Sequence, residues 1–340
     1  MKLSHEIIAL RTKHPFIIAR GGSSEYRVVR VTVTDEDGLT GWGEAAPSKH
    51  YGETADTVVS VLPLLAAVVE GADGWSLEAL ERAMAKAIGF NASARAAVSA
   101  ALHDLVAKRL GVPLYRLWGL DPSASPPTSF TIGIAPDEAT LRERVREAAG
   151  YPVLKIKLGS AWDERIMHIV REMEPGKVLR VDANAAWTPR HALRMIPLLH
   201  EMGVEFVEQP LPAREIEGLR FVSERSALPI IADESCLVSS DIPALAGAVD
   251  GINIKLAKCG GLREALRMVA AARAHGMSVM CGCMVDSSLG ITAAAHLAPL
   301  LDYADLDGAA LVTNDPYVAA TIEGGDVVLP VDPGIGVRLR

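Results

Sequence analysis

From residue 130 onward the sequence repeats one phrase: a short apolar run, a charged residue closing it, then helical text, at a spacing of about 25 residues. The runs are Phe130–Ile134, Val153–Lys157, Val178–Val181, Val204–Glu208, Ile230–Asp233, Gly251–Lys255, Ser278–Gly282 and Tyr303–Leu306. Helical text such as Asp163–Met173, Pro189–Met202 and Leu262–His275 separates them. One strand plus one covering helix, repeated at fixed period, predicts a closed barrel of parallel strands in preference to a doubly wound sheet. The eighth helix is weak. The expectation is therefore an α/β fold, a modified (β/α)8 barrel of (β/α)7β form.

The first 120 residues read differently. Arg27–Thr34 alternates β-branched residues, Asp35–Gly38 is turn text, and Leu39–Glu44 resumes strand character, which predicts a hairpin. Ala-rich helical text follows at Thr54–Glu70, Ser76–Ile88 and Ala92–Leu110. The predicted organisation is an α+β capping domain over 1–120, a linker at Asp121–Pro127, a barrel over 126–315, and a β-rich tail over 316–340 that returns to the capping domain.

Composition narrows the partners. A net charge of −8 argues against nucleic acid and an anionic membrane surface as partners, both of which need a basic face. No uninterrupted apolar stretch reaches membrane-spanning length, and Ile7–Leu10 is too short for a signal peptide. Cys236, Cys259, Cys281 and Cys283 read as free thiols of a cytoplasmic chain.

The charges at the strand ends carry the chemistry. Asp182, Glu208 and Asp233 close three successive strands, so they meet at the C-terminal mouth, where this architecture places its reactive groups. A lone carboxylate there more often caps the next helix. Three in one register make a hard oxygen site suited to one Mg²⁺ per subunit. Lys157 on the second strand and Lys255 on the sixth face each other across the closed barrel, and Lys155 shares the face of Lys157. A free lysine, with pKa near 10.4, is a poor base at neutral pH. A neighbouring cation and a second amine are expected to lower that value.

The motifs Lys155-Ile-Lys157, Asp182-Ala-Asn184, Glu208-Gln-Pro210, Asp233-Glu-Ser235 and Asn253-Ile-Lys255 resemble those of the enolase superfamily, muconate-lactonising-enzyme subgroup. The similarity extends to Pro15–Gly21 and Tyr51-Gly-Glu53 of the capping domain. The resemblance implies a lysine base working with a Mg²⁺-stabilised carboxylate, and Asn184 and Glu234 as supports of the ligand set. Asp305-Leu-Asp307 resembles the Asp-x-Asp with which dipeptide epimerases hold a terminal ammonium. Two carboxylates on one face suit a cation and repel an acid. The implied activity is an isomerase reaction that inverts the α-carbon of a dipeptide's C-terminal residue, in a homo-oligomer engaged in peptide metabolism.

One departure bears on the substrate. Acidic-dipeptide epimerases carry a second arginine in the loop after Ala-Arg-Gly, whereas here Ser23 lies near that position. Arg20, Lys49 and His50 are the candidates for its role, with Tyr51 beside them; failing these, the preferred second residue is not glutamate. The alternatives within the superfamily are an o-succinylbenzoate synthase and an N-succinylamino acid racemase, whose substrates lack a free ammonium. A sugar-acid dehydratase is disfavoured because no histidine closes a strand; His275 precedes the seventh strand on a surface helix. A non-catalytic binding barrel would lack ligands or bases, and none is missing.

Overall fold

The computed structural model describes all 340 residues. Its first unit is an antiparallel sheet of β1 (Lys2–Ile18), β2 (Gly21–Thr34) and β3 (Thr40–Ala45), ordered β1-β2-β3. The expected hairpin is β2–β3. Val29, Val31 and Val33 all face one side of β2 and are fully buried against the helices, the period-2 burial that makes the segment a strand. Sequence reading missed β1. It is mostly exposed, with no sustained alternation of apolar and polar residues, and pairing with β2 holds it extended from Lys2↔Thr34 to Ile18↔Gly21. Its register slips between Arg11 and Phe16, around Pro15, a residue with no N–H to give the ladder. The β1–β2 tip, Ala19-Arg20, reaches the barrel: the Ile134 amide donates to the Ile17 carbonyl at 2.8 Å.

Three helices cover this sheet: α1 (Ala55–Val69), α2 (Leu77–Ala87) and α3 (Ala92–Arg109). Thr54 and Thr57 cap α1 reciprocally. Helix α3 is buried along almost its whole length between sheet and barrel, which its alanines and serines permit. Gly43 is required for that approach, because a Cβ there would overlap the Ala97 carbonyl oxygen.

The barrel strands are β4 (Phe130–Ile132), β5 (Val153–Lys157), β6 (Val178–Asp182), β7 (Val204–Glu208), β8 (Ile230–Ala232), β9 (Gly251–Ile254), β10 (Ser278–Gly282) and β11 (Tyr303–Asp305). They lie side by side in chain order, all parallel. A parallel bridge between Thr128 and Ala304 joins first strand to last, reinforced by Ser129 N–H to the Ala304 carbonyl at 3.1 Å. Phe206, Ile231 and Met280 plug the interior below the mouth, where Arg180 lies over the Phe206 and Tyr303 rings. Only a 3₁₀ turn, Gly308–Leu311, follows β11 in place of an eighth α-helix. The tail then lies along the first unit: Ile335 N–H donates to Asp104 Oδ1 at 2.7 Å and Tyr317 packs 6.4 Å from Trp42. No helix is long and apolar enough to cross a membrane.

Two fully buried histidines, one within α3 and one bridging the Tyr115 and Ile335 segments, lie among these layers. The His103 ring donates from Nδ1 to the Ser99 carbonyl at 2.8 Å. In His296, Nδ1 accepts from the Tyr115 amide at 3.1 Å while Nε2 donates to the Ile335 carbonyl at 3.1 Å. Burial lowers both from 6.5 to about 4, so each folds neutral. A folded pKa below the unfolded one gives stability that is complete above pH 6.5 and lost as pH falls toward 4. Each histidine then costs on the order of 3 kcal/mol at the acid end. Urea titrations at pH 7 and pH 4, with Mg²⁺ present, test this: the change in stability on acidification should be several kcal/mol less unfavourable in a double variant His103→Leu, His296→Gln than in the original, because acids raised by burial, such as Asp307, enter both alike. An unchanged drop would refute the assignment.

Candidate metal and acid–base centre at the barrel mouth

The parallel register brings the acids together. Lys157 pairs with Asp182 across β5–β6, and Asp182 with Glu208 across β6–β7, so these side chains leave the barrel at one level. Asp233 follows β8 directly. Asp182, Glu208 and Asp233 are buried and offer oxygens that all lie within 4.8 Å of one another. Burial, then the neighbouring Asp182, raise Glu208 to about 7. Three carboxylates in so little space repel one another. Buried acceptors stand unused around them: Asn184 Oδ1 and Asn253 Oδ1 receive no hydrogen bond, and Glu208 Oε2 has only an ion-pair approach from Lys155 at 2.6 Å. An all-oxygen donor set with spare lone pairs and excess charge fits a small hard cation such as Mg²⁺.

Lys157 and Lys255 flank the acids from opposite walls, four strands apart in the closed ring of eight. Lys157 Nζ donates to Asp182 Oδ2 at 2.6 Å and Lys255 Nζ to Asp233 Oδ2 at 2.9 Å. Lys155, fully buried, donates to Asp305 Oδ2 at 2.7 Å, which ties the acid cluster to the Asp-x-Asp motif. Around Lys255 and Lys155 the protein's own groups act against the expected lowering. Burial disfavours the ammonium of Lys255, but Asp233 and Glu208 outweigh it and hold the group well above its ordinary value. Lys155 is held up likewise by Asp305, Glu208 and Asp182. The charge that would lower an amine here belongs to a cation engaging the carboxylates.

Asp305 accepts from Ser129 Oγ at 2.6 Å as well as from Lys155, and Asp307 Oδ2 accepts the Thr131 amide at 2.5 Å. Burial opposes ionisation of Asp305, but Lys155 and Lys157 prevail and bring it down to about 2. Burial and Asp305 push Asp307 up to about 7. The pair therefore has room for one more positive charge.

The first unit roofs the mouth. Arg20, at the β1–β2 tip, donates to the Asn184 carbonyl at 2.7 Å and pairs with Glu234 at 2.7 Å. Gly159, at φ +104°, lets the tip come close; a Cβ there would lie 2.6 Å from that of Ala19. Ser48 caps the turn Lys49–Tyr51, and Glu53 anchors it by accepting the Ala92 amide at 2.7 Å. Tyr51, stacked edge-on against His50 at 4.8 Å, is raised by burial and by Asp233, while burial and Arg20 lower His50. Ser23 is not brought into this roof. It sits exposed on β2, its hydroxyl bonded to the Glu25 carbonyl at 2.8 Å, because strand pairing with Phe16 turns it away. Lys49 and His50 are also exposed, His50 keeping its edge-on contact with Tyr51.

Sequence reading missed three supports. Beside the expected support from Asn184, whose backbone N–H donates to Asp182 Oδ1 at 2.7 Å, Asn253 donates through Nδ2 to Glu208 Oε1 at 2.8 Å. Lys258 is buried and donates to Asp233 Oδ1 and to the carbonyls of Asp233, Cys236 and Asn253. Gln209 bridges the ends of β7 and β8 through the Asp233 amide. The available signal was their spacing, one or three residues after, or two before, a named charge.

Comparison with known proteins agrees with this geometry. Residues 4–119 match the mandelate racemase / muconate lactonizing enzyme N-terminal domain, and residues 138–340 match the enolase C-terminal domain-like family. The chain is 42% identical to a hydrophobic dipeptide epimerase of Roseobacter litoralis, covering 99% of this chain and 98% of that one. It is 39% identical to an L-Ala-D/L-Glu epimerase of Bacteroides thetaiotaomicron, covering 99% and 88%. A dipeptide epimerase of Enterococcus faecalis V583, solved with Mg and L-Leu-L-Tyr, superposes with a TM-score of 0.94 at 33% identity over 99% of this chain and 98% of that one. On this sequence, fold and site, the chain belongs to the mandelate racemase / muconate lactonizing enzyme family of the enolase superfamily.

Proposed function

We propose that this protein is a Mg²⁺-dependent dipeptide epimerase that inverts the α-carbon of the C-terminal residue by 1,1-proton transfer. The observation that carries the reading is the pair Lys157 and Lys255 on opposite walls of one buried acid trio. Asp182, Glu208 and Asp233 would hold Mg²⁺, whose positive charge would stabilise the substrate carboxylate as the α-proton leaves. One lysine takes that proton and the other delivers one to the opposite face. Lys155 offsets charge at the carboxylate, and Asp305 and Asp307 receive the substrate ammonium. The roof of Arg20, His50 and Tyr51 covers the second side chain and excludes water. Four free thiols fit a cytoplasmic setting, and a homo-oligomer engaged in peptide metabolism belongs to the same reading.

The roof also indicates the second residue. Arg20 is already neutralised by Glu234, so an acidic side chain beneath it finds no free guanidinium. The reading is a neutral second residue, like the tyrosine in the Enterococcus faecalis complex. A dipeptide library incubated with Mg²⁺ in deuterated water tests both points. Deuterium should enter the C-terminal α-position, with neutral second residues ahead of glutamate by about tenfold or more in kcat/KM. Exchange confined to N-succinylamino acids would sink the dipeptide reading.

The ammonium contact has its own test. Asp307→Asn retains an acceptor for the Thr131 amide but removes the charge, and a charged hydrogen bond contributes enough that KM should rise about ten- to a hundredfold. N-acetylated dipeptides should be poor substrates of the unsubstituted protein and lose no further ground in the variant. Equal KM values for free and acetylated dipeptides would remove Asp307 from the site.

A further inference from the structure

Five non-glycine residues in the chain have positive φ, and three of them follow ligand-bearing strand ends: Asn184 at 44°, Ala185 at 63° and Gln209 at 36°. Such conformations cost free energy and persist where surrounding contacts over-determine them. Gln209 shows what those contacts are. It is fully buried, and every hydrogen-bonding group it owns is engaged. Its side-chain Oε1 accepts the amides of Asp233 at 2.9 Å and Ser235 at 3.1 Å. Its Nε2 donates to the Leu211 carbonyl and to Ser235 Oγ, each at 2.8 Å. Its own amide donates to the Ile231 carbonyl, and its carbonyl accepts from Ala185, both at 2.8 Å.

One residue thus adjoins Glu208 in the chain, holds the backbone of Asp233 through its side chain, and holds the segment after Asp182 through its carbonyl. We propose that Gln209 is a positioning residue that presets the spacing of the three carboxylates before the cation arrives. A glycine would adopt this φ without strain. The position keeps a strained glutamine because only a primary amide both accepts two amides and donates twice at this reach. A glutamate would lose both donors, and an apolar side chain would strand the Asp233 and Ser235 amides. A role in stability alone accounts for the hydrogen bonds but not for their convergence on all three ligand-bearing segments.

The proposal rests on the reading that the acid trio takes Mg²⁺, and the test separates the two. Mg²⁺ is titrated calorimetrically into the metal-free full-length chain without substrate, and thermal stability is measured in EDTA. Gln209→Gly should weaken Mg²⁺ binding about ten- to a hundredfold, as loss of a group that orients metal ligands does. Saturating Mg²⁺ should restore most of kcat. Should Gln209→Gly not fold, Ser235→Ala removes one partner of the Gln209 amide, leaves the strained backbone alone, and should weaken binding about fivefold. Binding within twofold of the unsubstituted chain, with thermal stability alone reduced, overturns the proposal and leaves the metal reading standing. An unsubstituted chain that binds no Mg²⁺ overturns the metal reading and this proposal with it.

Discussion

Lys157→Ala and Lys255→Ala should each abolish epimerisation in both directions, with kcat falling at least about 10²–10⁴-fold, the usual contribution of one acid or base. Inversion needs both walls: whichever lysine is base for one enantiomer is acid for the other, so a single amine supports no net inversion. Half of the reaction should survive. With Lys157 removed, Lys255 still faces one side of the α-carbon, and one enantiomer of the second residue should exchange its α-proton with deuterated solvent. Lys255→Ala should exchange the opposite enantiomer. Proton NMR of dipeptides differing only in that centre reads both halves and assigns each lysine to its face. Both amines already contact the acid trio, so truncation leaves Asp182 or Asp233 short of a partner. Circular dichroism and Mg²⁺ binding must therefore be unchanged for the result to count as chemistry. Turnover within twofold of the original in both variants would end the two-wall scheme.

Those lysines were legible because the sequence states strand ends unusually clearly. Val153–Lys157 and Val204–Glu208 carry apolar residues up to a terminal charge, and parallel register then sets the charges at one level. The barrel order followed from period and length. Strand β1 was illegible for a physical reason: its side chains are mainly solvated, so its extended state is recorded in its partner β2 and not in its own alternation. The fate of Arg20 depended on β1. Seen as part of a loop it was a free cation for an acidic substrate; at the tip of a long hairpin it meets Glu234 and the Asn184 carbonyl. Ser23 failed for the same reason, since hairpin pairing with Phe16 fixes which way it points. Gln209 and Lys258 act largely through backbone atoms, with Ser235 Oγ and the Asp233 carboxylate beside them, and these come near only after β7, β8 and β9 are aligned. No pattern of side-chain types records that.

Glu208→Gln should separate stability from metal binding, moving them in opposite directions. In the metal-free protein the Glu208 carboxylate is raised from 4.5 to about 7 by burial and by Asp182, so the folded state holds its proton more tightly than the unfolded chain. An acid shifted upward costs stability as pH rises from 4.5 through about 7. At pH 8 the metal-free Gln variant should therefore melt higher than the original. The Asn253 amide keeps an acceptor on Gln, and Lys155 keeps Asp305, so the substitution strands neither. With Mg²⁺ that advantage should shrink, because the original chain gains more from the ion. An ion at about a hundred times its Kd stabilises the original chain by about 2.7 kcal/mol, and a variant that binds a hundredfold more weakly forgoes most of that. Epimerisation should be lost with it, since the charge opposing the developing carboxylate is gone. Melting curves with EDTA and with Mg²⁺, at pH 6 and pH 8, supply four numbers for each protein. The buried histidines and the acids of other sites enter both curves equally, so the Mg²⁺-minus-EDTA difference isolates the trio. A Gln variant that gains as much stability from Mg²⁺ as the original would mean that the cation binds elsewhere and that Asp182, Glu208 and Asp233 are held together by the lysines alone.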